Sequence, residues 1–147
     1  MPQESAIHLW LILNRAARSV ERNAQNSIAK LDLGLSDFAV LELLLHKGPR
    51  PVNQIGEKVL LTSGSITSAI DRLASRALVR RAPNPIDQRS RLVELTPAGR
   101  KLITQAFAQH TRDIEETMSI LRPQERQDLA RLLKKLGLWA AARAQPS

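Results

Sequence analysis

The chain has 147 residues, 43% of them hydrophobic, and its 22 lysines and arginines against 14 aspartates and glutamates give a formal net charge of +8. This length and composition predict one globular domain, and the absence of cysteine excludes disulfides, thiol catalysis and thiol redox sensing. No apolar run approaches the roughly 20 residues of a membrane span and no secretory signal is visible, so we expect a cytoplasmic protein without a membrane partner.

The first third of the chain is predicted to be helical. Apolar residues recur mostly every three or four positions from Ile7 to Leu31, with no glycine or internal proline before Gly34. A helix this long cannot bury its apolar stripe against a small domain alone. A second helix is expected to begin after an N-cap at Ser36 and to end at Gly48-Pro49.

Two short helices are predicted next, over residues 52–60 and after a break at Thr62-Ser63-Gly64. Thr62 or Ser63 can cap the second of them. Because the second is strongly amphipathic and only a few residues join the two, they predict a helix-turn-helix motif. Its inward face is expected to be Ile66, Ala69, Ile70, Leu73 and Ala77, and its outward face Ser63, Ser65, Thr67, Ser68, Asp71, Arg72 and Ser75.

The pattern then changes from helical to extended. Residues 78–81 and 91–95 flank a turn at Pro83-Asn84-Pro85, which predicts a two-stranded hairpin. The tip region of this hairpin carries Asp87, Arg89 and Arg91.

Two helices are predicted to complete the chain. Thr96-Pro97 combines an N-cap with proline at the first helical position and starts a helix that ends near Leu121. Pro123 opens the last helix, with Gly137 as an expected interruption. The predicted fold class is therefore mostly α with a small β hairpin.

The positive charge is concentrated on the helix-turn-helix and the hairpin. Residues 47–101 hold eleven Lys/Arg against four Asp/Glu, a net of +7, whereas residues 1–46 carry −1 and residues 102–147 carry +2. A helix fits the major groove of B-DNA, and an arginine on a thin ribbon can reach the negative potential of the neighbouring minor groove. This order of elements predicts a double-stranded DNA partner.

The outward face of the second short helix suits such a partner. Small hydroxyl side chains permit close approach and hydrogen bonds to phosphates or base edges, and Arg72 could reach a guanine or a phosphate. The alternative is that the hydroxyls near the helix start only cap it.

Several motifs resemble those of the MarR family of bacterial winged-helix regulators. They are residues 61–73, Leu78-Val79-Arg80-Arg81, Asp87-Gln88-Arg89-Ser90 and Leu95-Thr96-Pro97-Ala98-Gly99, and the resemblance extends over essentially the whole chain. It implies a winged helix-turn-helix homodimer, a ligand-responsive repressor that binds a pseudo-palindromic operator. It also implies that Arg89 reaches DNA and that Asp87 braces the wing. Ser68 departs from the pattern, because many members carry arginine there.

The resemblance divides the chain into three parts. Residues 1–34 are expected to be an N-terminal dimerisation helix, residues 35–100 the winged helix-turn-helix DNA-binding domain, and residues 101–147 the C-terminal dimerisation helices. The predicted DNA-binding residues are Thr62, Ser63, Ser65, Thr67, Ser68, Arg72, Asp87, Arg89 and Arg91. A regulator of this kind is expected to be cytoplasmic and associated with the nucleoid.

Residues 38–48, 60–67 and 132–137 are similar to the branch of the family typified by the methylhydroquinone-responsive repressor. This finer resemblance implies a small aromatic or phenolic effector. A crevice between the terminal helices and the winged domain could hold it, with Trp10, His46 and Phe107 as candidate walls. The helical spacing of Trp10 favours a place in the dimer core over a role as a ligand wall.

Catalysis, metals and cofactors are not expected. The three histidines lack the short spacing of a zinc site, and no nucleophile, base and orienting group assemble. Two other functions remain open: an architectural nucleic-acid-binding protein without an effector, which would bind with a steep salt dependence and little specificity, and an interaction adaptor that is monomeric in solution.

Overall fold

The computed structural model describes residues 4–59 and 63–144, which divide into two compact units, one up to Ile114 and one from Glu115 onward. Among these residues no helix combines the length and the apolar character that a membrane span requires. The expected mostly helical chain with a small antiparallel sheet is confirmed. Its elements are α1 (Ala6–Ala29), α2 (Leu35–Lys47), β1 (Arg50–Pro51), α3 (Val52–Val59), α4 (Ser63–Ser75), β2 (Val79–Pro83), β3 (Arg91–Leu95), α5 (Pro97–Met118) and α6 (Pro123–Ala144).

The core of the first unit contains the predicted inward face of α4, with one exception. Ile66, Ala69, Ile70 and Leu73 are buried, at the three- and four-residue spacing of one helix face. The prediction for Ala77 is wrong, because α4 ends at Ser75 and Ala77 is exposed at a φ of 56°. The amides of residues 77 and 78 bond to the carbonyls of residues 74 and 73, a helix end that needs this left-handed residue.

The start of α2 also differs from the prediction. Gly34, not Ser36, is the N-cap, and no side chain caps the helix. The Phe38 amide bonds to the Gly34 carbonyl at 3.0 Å, so Ser36 already lies inside the first turn. Asp37 is then placed in that turn, where a carboxylate is favourable to the helix dipole.

The sheet has three strands in the order β1-β3-β2, where the sequence predicted two. Strand β2 pairs antiparallel with β3 from Val79↔Leu95 to Pro83↔Arg91, as the predicted hairpin requires. The short β1 pairs with the other edge of β3, with Arg50 opposite Val93. Prolines at 49 and 51 hold this segment extended, and proline is tolerated on such an edge strand.

The predicted start of α5 is confirmed. Thr96 Oγ1 accepts a hydrogen bond from the Gly99 amide at 3.0 Å and donates to the Ala77 carbonyl at 2.6 Å. This one hydroxyl therefore caps α5 and ties it to the end of α4. Gly99 lies so close to Leu78 that an added Cβ would be 1.9 Å from the Leu78 carbonyl oxygen.

The second unit is mainly α6. It begins at Pro123 as predicted, and the Arg122 amide donates to Glu125 Oε2 at 2.8 Å, which caps the helix start. The expected interruption at Gly137 is wrong, because α6 continues through it to Ala144. One exposed glycine costs a helix only about 1 kcal/mol, which the remaining turns can offset. Exposed apolar side chains recur every three or four residues on α6: Leu129, Leu132, Leu133, Leu136 and Trp139.

Candidate nucleic-acid interface

One exposed face of α4 carries hydroxyl groups. The side chains of Ser65, Thr67, Ser68 and Ser75 are exposed, as the sequence predicted for this face. Ser63 is the first residue of α4, and Thr62 lies outside the described residues. The buried face of the same helix packs into the core, so the hydroxyls are presented on a rigid support.

Arg72 belongs to this face but is bound to α2. Its Nη2 donates to Asp37 Oδ1 at 2.8 Å and its Nε to Asp37 Oδ2 at 3.5 Å. These hydrogen bonds and the Asp37 charge raise the pKa of Arg72 above its already high ordinary value, so the guanidinium stays charged. Sequence reasoning offered Arg72 only as a DNA contact, whereas the structure also places it between α2 and α4.

The loop between β2 and β3, residues 84–90, is braced by its own side chains. Asp87 Oδ1 accepts from the Arg89 amide at 2.9 Å, and the Asp87 carbonyl accepts from the Ser90 amide at 3.2 Å. Asn84 Oδ1 accepts from the Ile86 amide at 3.0 Å, and Asn84 Nδ2 donates to Ser90 Oγ at 2.8 Å. These hydrogen bonds preorganise the loop, and those of Asp87 to the loop backbone are the contacts expected of a bracing residue.

The two predicted wing arginines differ in their surroundings. Arg91 Nη2 donates to the Arg81 carbonyl across the hairpin at 3.3 Å. For Arg89, by contrast, only the backbone amide is engaged, and within residues 4–59 and 63–144 its exposed guanidinium has no hydrogen bond or ion pair. Arg89 is thus a cation available to a ligand.

Two ion pairs of the hairpin, one to α4 and one between its own strands, neutralise part of the positive charge. Arg81 Nη2 lies 2.7 Å from Asp71 Oδ1 of α4, and Arg80 Nε lies 2.7 Å from Glu94 Oε1 of β3. Further cations of the basic segment have no ion pair among the described residues: Lys47, Arg50, Arg76, Arg89, Arg91, Arg100 and Lys101. The surface around α4 and the hairpin therefore keeps an excess of free positive charge.

Of the predicted effector-binding residues, the structure brings two together. The rings of His46 and Phe107 meet edge to face with centroids 4.7 Å apart. His46 Nδ1 also lies 3.2 Å from Glu42 Oε1. Trp10 is 57% exposed on α1, and in the described part of the chain it has no ring contact with either residue.

A polar cluster that the sequence did not predict connects α1 with α5. The buried Ser27 hydroxyl donates to Asp113 Oδ2, and His110 Nδ1 lies 3.2 Å from Ser27 Oγ. Gln109 Nε2 donates to Asp113 Oδ1 at 2.9 Å, and the His110 ring meets Phe38 edge to face at 5.0 Å. The detectable sign in the sequence was a serine at a buried position of α1.

The chain is similar to known proteins over nearly its whole length. The model of the MarR family matches residues 33–90. The HTH-type transcriptional regulator MhqR of Bacillus subtilis is 39% identical over 137 residues, which cover 93% of this chain and 94% of that protein. The chain belongs to the MarR family. The similarity to MhqR also confirms the finer resemblance within the MarR family.

Solved MarR-family structures share the fold. A variant of MarR from E. coli complexed with operator DNA has a TM-score of 0.76 at 27% identity, covering 90% of this chain and 99% of that one. BpsR of Bordetella bronchiseptica, whose DNA binding is regulated by 6-hydroxynicotinic acid, has a TM-score of 0.78 at 26% identity, with coverages of 93% and 98%. The winged helix-turn-helix architecture and the class of transcriptional regulators are therefore shown for this MarR-family chain.

Proposed function

We propose that this chain is a ligand-responsive repressor that binds a pseudo-palindromic DNA operator as a homodimer. The observation that carries this proposal is the free Arg89 guanidinium on a braced wing, on the same unit as the hydroxyl-bearing face of α4. Helix α4 would enter the major groove and Arg89 the adjacent minor groove. Repression would follow from occlusion of the promoter, and the protein would act in the cytoplasm at the nucleoid.

The predicted contacts divide by chemistry. Ser65, Thr67 and Ser68 would bond to phosphates or base edges, together with Thr62 and Ser63 at the helix start. Asp87 would act through the wing rather than on DNA, because it binds the wing backbone. Arg91 would add a phosphate contact beside Arg89. Arg72 would hold α4 in position through Asp37, and the guanidinium nitrogen that does not bind Asp37 would contact DNA.

Dimerisation would bury the apolar side chains that each unit exposes. Exposed residues on α1 include Ile7, Trp10 and Leu11, at the spacing of one helix face, and α6 carries its own stripe. Residues 1–34 and 101–147 would thus supply the interface, and residues 35–100 the DNA-binding domain. A two-fold axis would bring two α4 helices to successive major grooves, about 34–36 Å apart.

A small aromatic or phenolic effector would control the distance between the two α4 helices of the dimer. Of the described relatives, BpsR has its DNA binding regulated by 6-hydroxynicotinic acid. In this chain the effector would contact the edge-to-face pair of His46 and Phe107, with Trp10 as a further wall. Because the chain has no cysteine, the effector must act without a thiol. A small rigid-body change in the dimer would release DNA.

The experiment is selection of bound duplexes from a random DNA pool, followed by gel-shift titration with salicylates, phenols and quinones. A selected palindrome that these compounds release is the expected result. Failure to select any palindrome, with tight but unspecific binding at low salt, would favour the architectural nucleic-acid-binding protein instead. Selection of a palindrome without release by any compound would retain the DNA-binding regulator and remove the aromatic effector.

A further inference from the structure

Ile86, at the tip of the wing, is 95% exposed. Among the described residues of the unit that ends at Ile114, the other exposed large apolar side chains are those of α1 and Leu35. The apolar side chains of α1 form a stripe that a second copy can cover, whereas Ile86 stands alone on the loop. Single exposed apolar residues are common, so exposure by itself assigns no role.

The loop holds this isoleucine in a fixed place. Asn84 Oδ1 accepts a hydrogen bond from the Ile86 amide, and Pro85 restricts φ just before Ile86. The turn closed by Asp87 follows directly after Ile86. Asn84 also bonds to Ser90 on the other side of the loop, at 2.8 Å. A preorganised loop therefore carries an aliphatic side chain into solvent without a partner in the fold.

The free cation of the wing is three residues away. Ile86 and Arg89 line the same open cleft of about 650 Å³ between the wing tip and the β1-α3 corner. The wing tip thus presents an aliphatic group and an unpaired guanidinium on one surface. Proteins that enter the minor groove combine these two groups: a cation for the negative potential, and an apolar wedge that partly unstacks a base step.

We propose that Ile86 is a minor-groove wedge that makes the protein prefer a deformable pyrimidine–purine step where the wing contacts DNA. The inference rests on the proposed function, because it needs the wing to enter the minor groove. TA and CA/TG steps unstack at the lowest cost, so the wedge selects them without a hydrogen bond to any base. Burial of one isoleucine side chain is sufficient for roughly a tenfold gain in affinity per wing.

The test is a parallel selection from one random-sequence duplex library with four proteins: the unmodified chain, Ile86→Asn, Ile86→Leu and the matched control Ile120→Asn. Ile120 is 86% exposed in the other unit, so the control makes the same substitution at a similar exposure. The unmodified chain, Ile86→Leu and Ile120→Asn are expected to enrich a TA or CA/TG step beside each half-site. Ile86→Asn is expected to keep the half-site sequence and lose that step. Circular dichroism and molecular mass verify that each variant folds and assembles alike.

A second measurement uses the selected duplex with 2-aminopurine at the enriched step. Fluorescence should rise when the unmodified chain binds and stay flat with Ile86→Asn, whose affinity for the duplex falls about tenfold for each wing. The salt dependence of binding should not change, because the substitution removes no charge. Absence of step enrichment by the unmodified chain, or an unchanged preference in Ile86→Asn, overturns the wedge while leaving the repressor intact. If the unmodified chain selects no duplex at all, the proposed function fails first and the wedge with it.

Discussion

Arg72 of α4 and Asp37 of α2 form a two-point ion pair between segments 35 residues apart in sequence. The Asp37 side chain is only 10% exposed, whereas that of Arg72 is 54% exposed. The carboxylate thus faces the protein and the guanidinium reaches outward from it. This pair fixes α4 against α2 from the exposed side, while Ile66 and Ile70 fix it from the core.

Asp37→Asn is expected to lower the thermal unfolding midpoint by about 3 °C, because the amide cannot balance the guanidinium and α2 loses a favourable charge in its first turn. Differential scanning fluorimetry measures the change. Asp71→Asn is the matched control, since its ion pair with Arg81 is more exposed, at 61% and 39%, and solvent screens it. Equal shifts in the two variants would contradict a bracing role for Asp37.

Arg89→Ala is expected to weaken binding to a selected duplex about tenfold and to reduce the slope of log affinity against log salt by about 0.9 for each wing. The reason is that each free guanidinium releases about one counterion from DNA. Fluorescence anisotropy at several salt concentrations measures both quantities. Arg18→Ala removes the same charge from the exposed surface of α1 and should leave the slope unchanged. An unchanged slope in Arg89→Ala would mean that the wing does not contact DNA.

Local features of this fold were predictable and distant pairings were not. Thr96-Pro97 specifies the start of α5 within four residues, and the spacing of Ile66 and Leu73 specifies a buried face within two turns. The third strand arises from residues more than 40 positions apart, because Arg50 pairs with Val93. A two-residue strand has no periodicity of its own, so only the tertiary fold reveals it.

In the candidate site, too, contacts between neighbouring residues were predictable and contacts between distant residues were not. Arg89 and Asp87 follow from a short motif whose hydrogen bonds lie within the loop. The partner of Arg72 could not be read from its sequence neighbours, and neither could the partner of Ser27, which is 86 residues away. Long-range polar pairs depend on how helices pack, and a single sequence carries no pattern that specifies them.

Gly99→Ala is expected to destabilise the first unit by about 3 kcal/mol, because the new Cβ would meet the Leu78 backbone and force the start of α5 away from Leu78. Urea unfolding measures the loss. Gly137→Ala is the control with the same substitution: nothing lies within 4 Å of its added Cβ, and alanine favours the helix by about 1 kcal/mol. A neutral Gly99→Ala would show that the start of α5 moves away from Leu78 easily.

Leu136→Glu is expected to convert the proposed dimer into a monomer, because a carboxylate would be buried without a partner in the apolar stripe of α6. Light scattering gives the molecular mass, and DNA affinity should fall with it. Leu138→Glu on the same helix is the control, since Leu138 is 74% exposed and two residues away, on a different face. A dimer that tolerates Leu136→Glu would exclude this stripe from the interface.

The polar link between α1 and α5, formed by Ser27 and Asp113, should make the free energy of unfolding depend on pH. The Ser27 hydroxyl and then the Gln109 amide, both donors to the carboxylate, hold the pKa of Asp113 below its ordinary value. A carboxyl with a lowered pKa in the folded state adds stability above its unfolded pKa of about 3.9, and that stability is lost as pH falls through the folded pKa.

Ser27→Ala removes the largest cause of this shift, so its urea midpoint is expected to lie below that of the unmodified chain at pH 7. The difference should shrink as pH falls below about 4, because protonation of Asp113 takes the same stability from the unmodified chain. Ser19→Ala, at an exposed position of the same helix, should leave the midpoint unchanged at both pH values. A gap between Ser27→Ala and the unmodified chain that stays constant with pH would show that the serine stabilises the joint by packing alone. A gap that closes in acid assigns the stabilisation to the charged form of Asp113 and makes the link between α1 and α5, beside Phe38, pH-dependent.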